Sequence, residues 1–130
     1  MVVKNTLANA LSTLYNNELR GNRECIIYPA SKFVARVLQV MQRNGYIGVF
    51  ELIDDNRGGK FKVQLLGRIN KCGIVSPRIS VKHDEIEKFE VNYLPSRDVG
   101  IMIISTPQGV MTHREAKEKG IGGVLVAYVY

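Results

Sequence analysis

Three side chains that can donate or accept hydrogen bonds follow directly on an apolar run of the sequence. Ser105 and Thr106 supply hydroxyl groups, Gln108 supplies an amide, and Gly109 closes the segment. Hydroxyl, amide and backbone N–H groups on an exposed turn suit the phosphates, sugar 2′-hydroxyls and base edges of a folded RNA. The same residue types are also compatible with a tight turn that only reverses the chain. We treat this corner as the first candidate site and expect its side chains to be exposed.

A catalytic serine would need a base that removes its proton and a third group that orients the base. The chain has two histidines, His83 and His113, and we expect His113 to lie on the exposed first turn of a helix. A small hydrolase that uses Ser105 or Ser31 with His113 is the alternative hypothesis. The G-x-S-x-G, P-loop and G-x-G-x-x-G patterns are absent from the sequence. We therefore predict that the protein is not an enzyme and that it uses no cofactor.

The charge balance favours a polyanionic partner. The 130 residues include 18 Lys and Arg against 12 Asp and Glu, which gives a formal net charge of +6 and a sequence pI of about 9.5. Such a surplus favours nucleic acid first and an anionic membrane surface second. Since no apolar stretch approaches the roughly 20 residues of a membrane span, we expect no membrane and no small-molecule substrate. The N-terminal residues do not resemble a secretion signal, so we expect a cytoplasmic protein.

The two cysteines, Cys25 and Cys72, are far apart and form no C-x-x-C pair. We interpret them as reduced thiols of a cytosolic protein. With two histidines and no ligand spacing, the sequence predicts no metal site.

A second polar surface is predicted on a helix from about Ser31 to Asn44. Lys32, Arg36, Gln39 and Arg43 recur at helical spacing on the side opposite the apolar residues. Ser31 at the helix start can cap free N–H groups, and the helix dipole there favours an anion. A solvated charged face without a partner is the alternative. Further basic residues in both halves extend the positive charge: Arg57, Lys60, Arg68, Lys71 and Arg78.

These residues require an α+β fold made of two small halves. Residues 1–66 predict the order α-β-α-β-β, with Asn5 or Thr6 capping the first helix and Gly21 ending it. Residues 67–73 are interpreted as a linker, and residues 74–130 as a mainly β half with short helices. In that half we expect a strand from Ile74 to Lys82, a short helix near residue 84, a buried strand "VGIMIIS", the corner, a helix, and a last strand "GGVLVAYVY". Thr112 and Glu115 fit a capping box for the helix after the corner.

Several stretches together resemble the small-subunit ribosomal protein eight family in its archaeal and eukaryotic branch. They are "PASKFVARVLQVMQRNGYIGVFE", "GRINKCGIVSPR", "YLPSRDVGIMIISTPQGVMTHREAKEKGIGG" and "LVAYVY", and the likeness covers essentially the whole chain. The resemblance implies two compact halves, no catalysis, and direct binding to a helical region in the central domain of small-subunit ribosomal RNA early in assembly. It further implies contacts with neighbouring ribosomal proteins.

The resemblance also implies particular RNA contacts. It assigns the central ones to Ser105, Thr106 and Gly109, and a contribution from the first half to Ser31 and Lys32. Two positions depart from the family pattern. Pro107 stands where the family has Ser or Thr, and Val124 stands where bacterial members carry Glu. Proline removes a hydroxyl and an N–H donor, so a contact from that position would be lost.

We conclude from the sequence that the protein is a structural constituent of the small ribosomal subunit that binds its rRNA and helps its assembly. The hypothesis requires surfaces from both halves to meet one folded RNA. It also predicts that Thr106→Ala weakens RNA binding while leaving the fold intact, because an exposed hydroxyl contributes little to stability. The predicted RNA-binding residues are Ser31, Lys32, Arg36, Lys71, Ser105, Thr106, Gln108 and Gly109.

Overall fold

The computed structural model divides into two compact units, residues 1–71 and residues 72–130. It describes residues 3–28, 30–54, 56, 58–96 and 99–130, with only the backbone for residues 3–5 and 76–78. Both units combine helices with an antiparallel sheet, so the α+β class predicted from the sequence is confirmed.

The first unit has two helices and a three-stranded antiparallel sheet in the order β1-β3-β2. The element bounds are α1 Val3–Leu19, β1 Glu24–Ile27, α2 Lys32–Arg43, β2 Ile47–Ile53 and β3 Lys60–Leu65. This is the predicted α-β-α-β-β order. The prediction that Asn5 or Thr6 caps the first helix is wrong, because the helix already includes both residues. Polar residues are compatible with the first turn, where the backbone N–H groups have no intrahelical partner.

Alternation along the strands separates the two faces of this sheet. In β1 the side chains of Cys25 and Ile27 are buried while Glu24 and Ile26 are exposed, and Phe61, Val63 and Leu65 of β3 are buried. This period of two places one sheet face in the core. Both helices contact the sheet, α1 at β1 and α2 at β2. The buried residues of α2 form an apolar stripe at helical spacing: Val34, Val37, Leu38, Val40 and Met41.

The second unit has a four-stranded antiparallel sheet in the order β4-β7-β5-β6. Its elements are β4 Cys72–Val81, α3 Ile86–Tyr93, β5 Ile101–Thr106, β6 Gly109–Thr112, α4 His113–Lys119 and β7 Gly123–Val129. β4 begins two residues before the predicted strand. The short strand β6 was not predicted, because its four residues were interpreted as part of the corner and the helix start.

β5 is the central buried strand of this unit. Its residues Ile101–Ile104 are all buried, as the continuous apolar run indicates. β5 lies between β7 and β6, so the end of β5 is held from both sides. At that end Gly123 is required by a close approach, since a Cβ atom there would overlap the carbonyl oxygen of Ser105. The start of β7 therefore packs directly against the backbone that carries the corner.

Candidate nucleic-acid interface

The predicted corner is the tip of a tight hairpin between β5 and β6. Ser105 pairs with Val110 and Thr106 pairs with Gly109, which leaves Pro107 and Gln108 as the two tip residues. Proline at the second position and glycine at the fourth are typical of a type I turn. Gly109 has a φ of 123°, in a region that other residues rarely adopt. The residue types at the corner thus fix the conformation of the turn.

The hydroxyl of Thr106 is used inside this turn. It donates a hydrogen bond to the Gly109 carbonyl oxygen at 2.8 Å and accepts one from the Gln108 N–H at 3.1 Å. The residue is 9% exposed. The expectation that the Thr106 hydroxyl is exposed is therefore wrong, because a hydroxyl two residues before an N–H can close a local turn. Thr106 holds the hairpin tip in shape.

The groups that this hairpin does present are those of its other residues. Pro107 and Gln108 are exposed, and Ser105 and Gly109 are half-buried. Within the described part of the chain the Ser105 hydroxyl has no hydrogen-bond partner. A hydroxyl and an amide on a fixed turn are suited to hydrogen bonds with phosphate or sugar oxygens.

His113 is buried, contrary to the expectation that it lies on an exposed helix turn. Its side chain is completely shielded from solvent. The Met102 N–H donates to Nδ1 at 3.0 Å, and Nε2 lies 3.4 Å from Glu90 Oε1. Because the first residue of α4 faces β5 and α3, tertiary packing determines its burial. Nδ1 accepts the Met102 N–H, while Nε2 is buried without a hydrogen-bond partner among the described residues, so His113 forms no pair with Ser105.

Burial also fixes the charge of this histidine. It lowers the pKa of His113 from the usual 6.5 to about 4, and the Lys117 and Arg114 cations act in the same direction. The Glu90 carboxylate opposes this shift. A neutral imidazole can accept the Met102 N–H, which the protonated form cannot do. His113 therefore connects α4 to β5 as a neutral group.

Thr112 caps the helix after the hairpin, as predicted. Its hydroxyl accepts a hydrogen bond from the Glu115 N–H at 3.2 Å, and Glu115 Oε1 lies 3.3 Å from the same hydroxyl. Gly120 ends the helix in the left-handed conformation with a φ of 67°. The cap and the buried His113 together determine where α4 leaves the hairpin.

The second polar surface lies on α2 of the first unit. Ser31 is the N-cap, and its hydroxyl accepts a hydrogen bond from the Val34 N–H at 3.2 Å, as predicted. The predicted basic and polar residues of this helix are all exposed: Lys32, Arg36, Gln39 and Arg43. A shallow cavity of about 240 Å³ adjoins the helix start, with Ser31 and Lys32 among its lining residues. The N-terminal half of α2 thus presents cations beside a capped helix start.

The structure describes the side chains of some of the remaining basic residues and not of others. Lys71 is exposed, and Arg68 donates from Nη1 to the Gly45 carbonyl oxygen at 3.3 Å. Arg57 lies outside the described residues, and so does the side chain of Arg78. Of the predicted site residues, the first unit carries Ser31, Lys32, Arg36 and Lys71, and the second carries Ser105, Thr106, Gln108 and Gly109.

Charge is distributed very unevenly between the two units. Residues 1–71 contain eleven Lys and Arg against five Asp and Glu, whereas residues 72–130 contain seven of each. The whole formal surplus of +6 therefore belongs to the first unit. Long-range attraction to a polyanion is a property of the first unit, while the hairpin offers short-range hydrogen bonds.

The part of the chain that the structure describes contains neither a cluster of metal-ligating side chains nor a membrane-spanning helix. It contains no group of three or more His, Cys, Asp or Glu side chains that could hold a metal ion. No helix among these residues is long and apolar enough to cross a membrane. Cys25 and Cys72 are both buried, and neither forms a disulfide bond among the residues that the structure describes. Burial, assisted by Glu18, raises the pKa of the Cys25 thiol to about 11, so this cysteine is not a reactive thiolate.

Sequence reasoning missed a buried charged group between two helices of the second unit. Glu90 and Lys117 form an ion pair at 2.6 Å between α3 and α4, next to His113. The available signal was the i, i+3 spacing of His113 and Ala116, both of which are buried. That spacing places the imidazole on the core face of α4.

A cationic helix face and a donor-bearing hairpin are surface features that many RNA-binding proteins of the α+β class have. The family model described as Ribosomal protein S8 matches residues 5–130. Three archaeal proteins named "Small ribosomal subunit protein uS8" are similar over the full length of both chains. Their identities are 56% for Desulfurococcus amylolyticus, 54% for Metallosphaera sedula and 55% for Caldivirga maquilingensis.

The chain belongs to the Ribosomal protein S8 family, and the resemblance recognised from its motifs is confirmed. This is a family of structural ribosomal proteins and not of enzymes. Neither the family nor the geometry of Ser105 and His113 supports the hydrolase alternative.

Proposed function

We propose that this protein is a structural constituent of the small ribosomal subunit, in the cytoplasm, and that it binds the central domain of the small-subunit rRNA directly. The observation that carries the proposal is the β5–β6 hairpin, whose shape is fixed internally while the Ser105 hydroxyl and the Gln108 side chain remain available. A turn held by its own hydrogen bonds loses little conformational entropy when it binds RNA. Membership of the Ribosomal protein S8 family and the names of its relatives support the same assignment.

The predicted residues have two kinds of role in this proposal. In the second unit Ser105, Gln108 and Gly109 contact the RNA at short range, and Thr106 positions them through its hydrogen bonds to Gln108 and Gly109. Pro107, which has no N–H, keeps the turn closed without adding a contact.

In the first unit the contacts are mainly electrostatic. Lys32, Arg36 and Lys71 are exposed cations that suit phosphate oxygens. The Ser31 hydroxyl accepts the Val34 N–H and keeps its own hydrogen for a phosphate near the helix start. Binding by both units helps the central domain to assemble, and other faces of the protein contact neighbouring ribosomal proteins.

The test compares two serine variants of the full chain on a central-domain rRNA fragment. Ser105→Ala removes the available hydroxyl at the hairpin, and Ser80→Ala removes an exposed hydroxyl on β4 of the same unit. We expect Ser105→Ala to weaken binding about tenfold, as for one lost hydrogen bond to a charged group, and Ser80→Ala to leave it unchanged. Circular dichroism should be the same for both variants. If Ser105→Ala binds the fragment as tightly as the parent, the hairpin is not the contact.

A further inference from the structure

We propose that a groove beside α3 binds a basic side chain of a neighbouring protein in the small subunit. The inference rests on the proposed function, because it takes the chain to be part of that assembly. The groove is a cavity of about 310 Å³ within the second unit. It is lined by Glu87, Glu90, Val91, Leu94, Pro95 and Ser96.

The groove combines an exposed aliphatic side chain with a buried one. Val91 is 82% exposed, more than any other large hydrophobic residue in the described part of the chain, whereas Leu94 is 6% exposed. A single exposed valine is ordinary on a protein surface. Here it lies at the margin of a concave surface, where the aliphatic stem of an arginine or lysine can pack.

Glu90 provides the charge that the groove offers. Its side chain is 6% exposed, and Oε1 contacts Lys117 Nζ at 2.6 Å and lies 3.4 Å from His113 Nε2. Within the described residues its second carboxylate oxygen has no hydrogen-bond donor. A cation from a partner that donates to this oxygen would form a charge-assisted hydrogen bond there.

The local charge argues for a protein and against RNA as the occupant. An RNA phosphate in the groove would face the carboxylates of both Glu87 and Glu90, whose combined charge the single Lys117 cation, 4.0 Å from Glu87 and 2.6 Å from Glu90, offsets only by half. The second unit has no net charge that would compensate this repulsion. A basic protein segment has the opposite charge and also carries the aliphatic stems that Val91 and Leu94 can contact.

The experiment places a photo-cross-linking benzoylphenylalanine at Asn92, an exposed residue next to Val91 on α3. The full chain is assembled into small subunits with rRNA and the other small-subunit proteins, irradiated, and analysed by mass spectrometry. We expect a cross-link to another ribosomal protein within a few residues of an Arg or Lys. Glu90→Gln, which removes the charge, and Val91→Ser, which leaves the core intact, should each lower its yield about tenfold. Glu118→Gln on the exposed face of α4 should not.

Three results would overturn the inference. They are a cross-link to rRNA, no cross-link in particles that contain the protein, and equal yields for Val91→Ser and Glu118→Gln. Failure of the proposed function is distinguishable, because the protein would then be absent from the particles before irradiation.

Discussion

The two units of this protein differ in charge and in the hydrogen-bonding groups that they expose. The first unit holds the entire surplus of six positive charges and presents Lys32 and Arg36 on an exposed helix face. The second unit is electrically balanced, yet it carries the hairpin with the fixed turn. Charge attracts any polyanion, whereas a turn of fixed shape can distinguish one folded RNA from another. The difference suggests that the first unit supplies affinity and the second supplies selectivity.

The largest expected effect is a loss of stability at low pH that occurs in the second unit and not in the first. His113 takes up a proton near pH 6.5 when unfolded but only near pH 4 when folded, so the unfolded state binds more protons between these values. Stability of the second unit is therefore constant above about pH 7 and falls as the pH drops toward 4, by about 3 kcal/mol in total. Hydrogen exchange of the Met102 amide measures this opening, and the β3 amides of the first unit provide the comparison.

Two histidine variants control this prediction. His113→Asn should remove the pH dependence of the Met102 amide and lower its protection already at pH 7, because the buried imidazole is lost. His83→Asn should leave the dependence unchanged, since His83 is exposed. An opening free energy of Met102 that is the same at pH 7 and pH 5 in the parent protein would contradict a neutral buried His113.

Removing cations from the first unit should weaken RNA binding much more than removing the same number from the second unit. In the variant with Lys32, Arg36 and Lys71 replaced by Gln, we expect the affinity for the rRNA fragment to fall about a hundredfold at low salt. The slope of log K against log salt should fall by about 2 to 3, because roughly three phosphate contacts are lost.

The matched control replaces three exposed lysines of the second unit by Gln: Lys82, Lys88 and Lys119. We expect this variant to change the slope by less than about 1. Filter binding or fluorescence anisotropy across a salt series measures both slopes. Equal losses for the two triple variants would contradict the assignment of affinity to the first unit.

A smaller effect is expected for Thr106, and it differs from the expectation based on sequence alone. Thr106→Ala leaves the Gln108 N–H and the Gly109 carbonyl oxygen without their partner, so we expect a loss of about 1–2 kcal/mol of stability as well as weaker RNA binding. Thr106→Ser keeps the hydroxyl and should restore most of both. Chemical denaturation measures the stability. An alanine variant that is as stable as the parent but still binds poorly would show that the hydroxyl contacts RNA instead of the turn.

Elements with strong terminal signals were the most predictable from sequence. The bounds of α2 agree closely with prediction, because Ser31 caps one end and Gly45, with a φ of 80°, follows the other. The buried strand β5 was likewise evident from its apolar run. The start of α1 and the strand β6 were not, because helix boundaries vary by one or two residues and a strand of four residues has no distinctive pattern.

The candidate site was predictable in position but not in detail. The sequence located the corner at residues 105–109, and the structure shows which hydroxyl is internal and which is available. That difference depends on the direction of each side chain across the hairpin, which residue types alone do not determine. The burial of His113 depends on packing against Met102 and Glu90, which are distant from it in sequence.

The most direct test of this division measures binding of the full chain to the central-domain rRNA fragment and to an unrelated RNA hairpin across a salt series. We predict that both affinities fall with similar slopes, while the fragment stays preferred at every salt concentration and Ser105→Ala lowers that preference about tenfold. Indistinguishable affinities for the two RNAs throughout the series, with no effect of Ser105→Ala, would contradict the account.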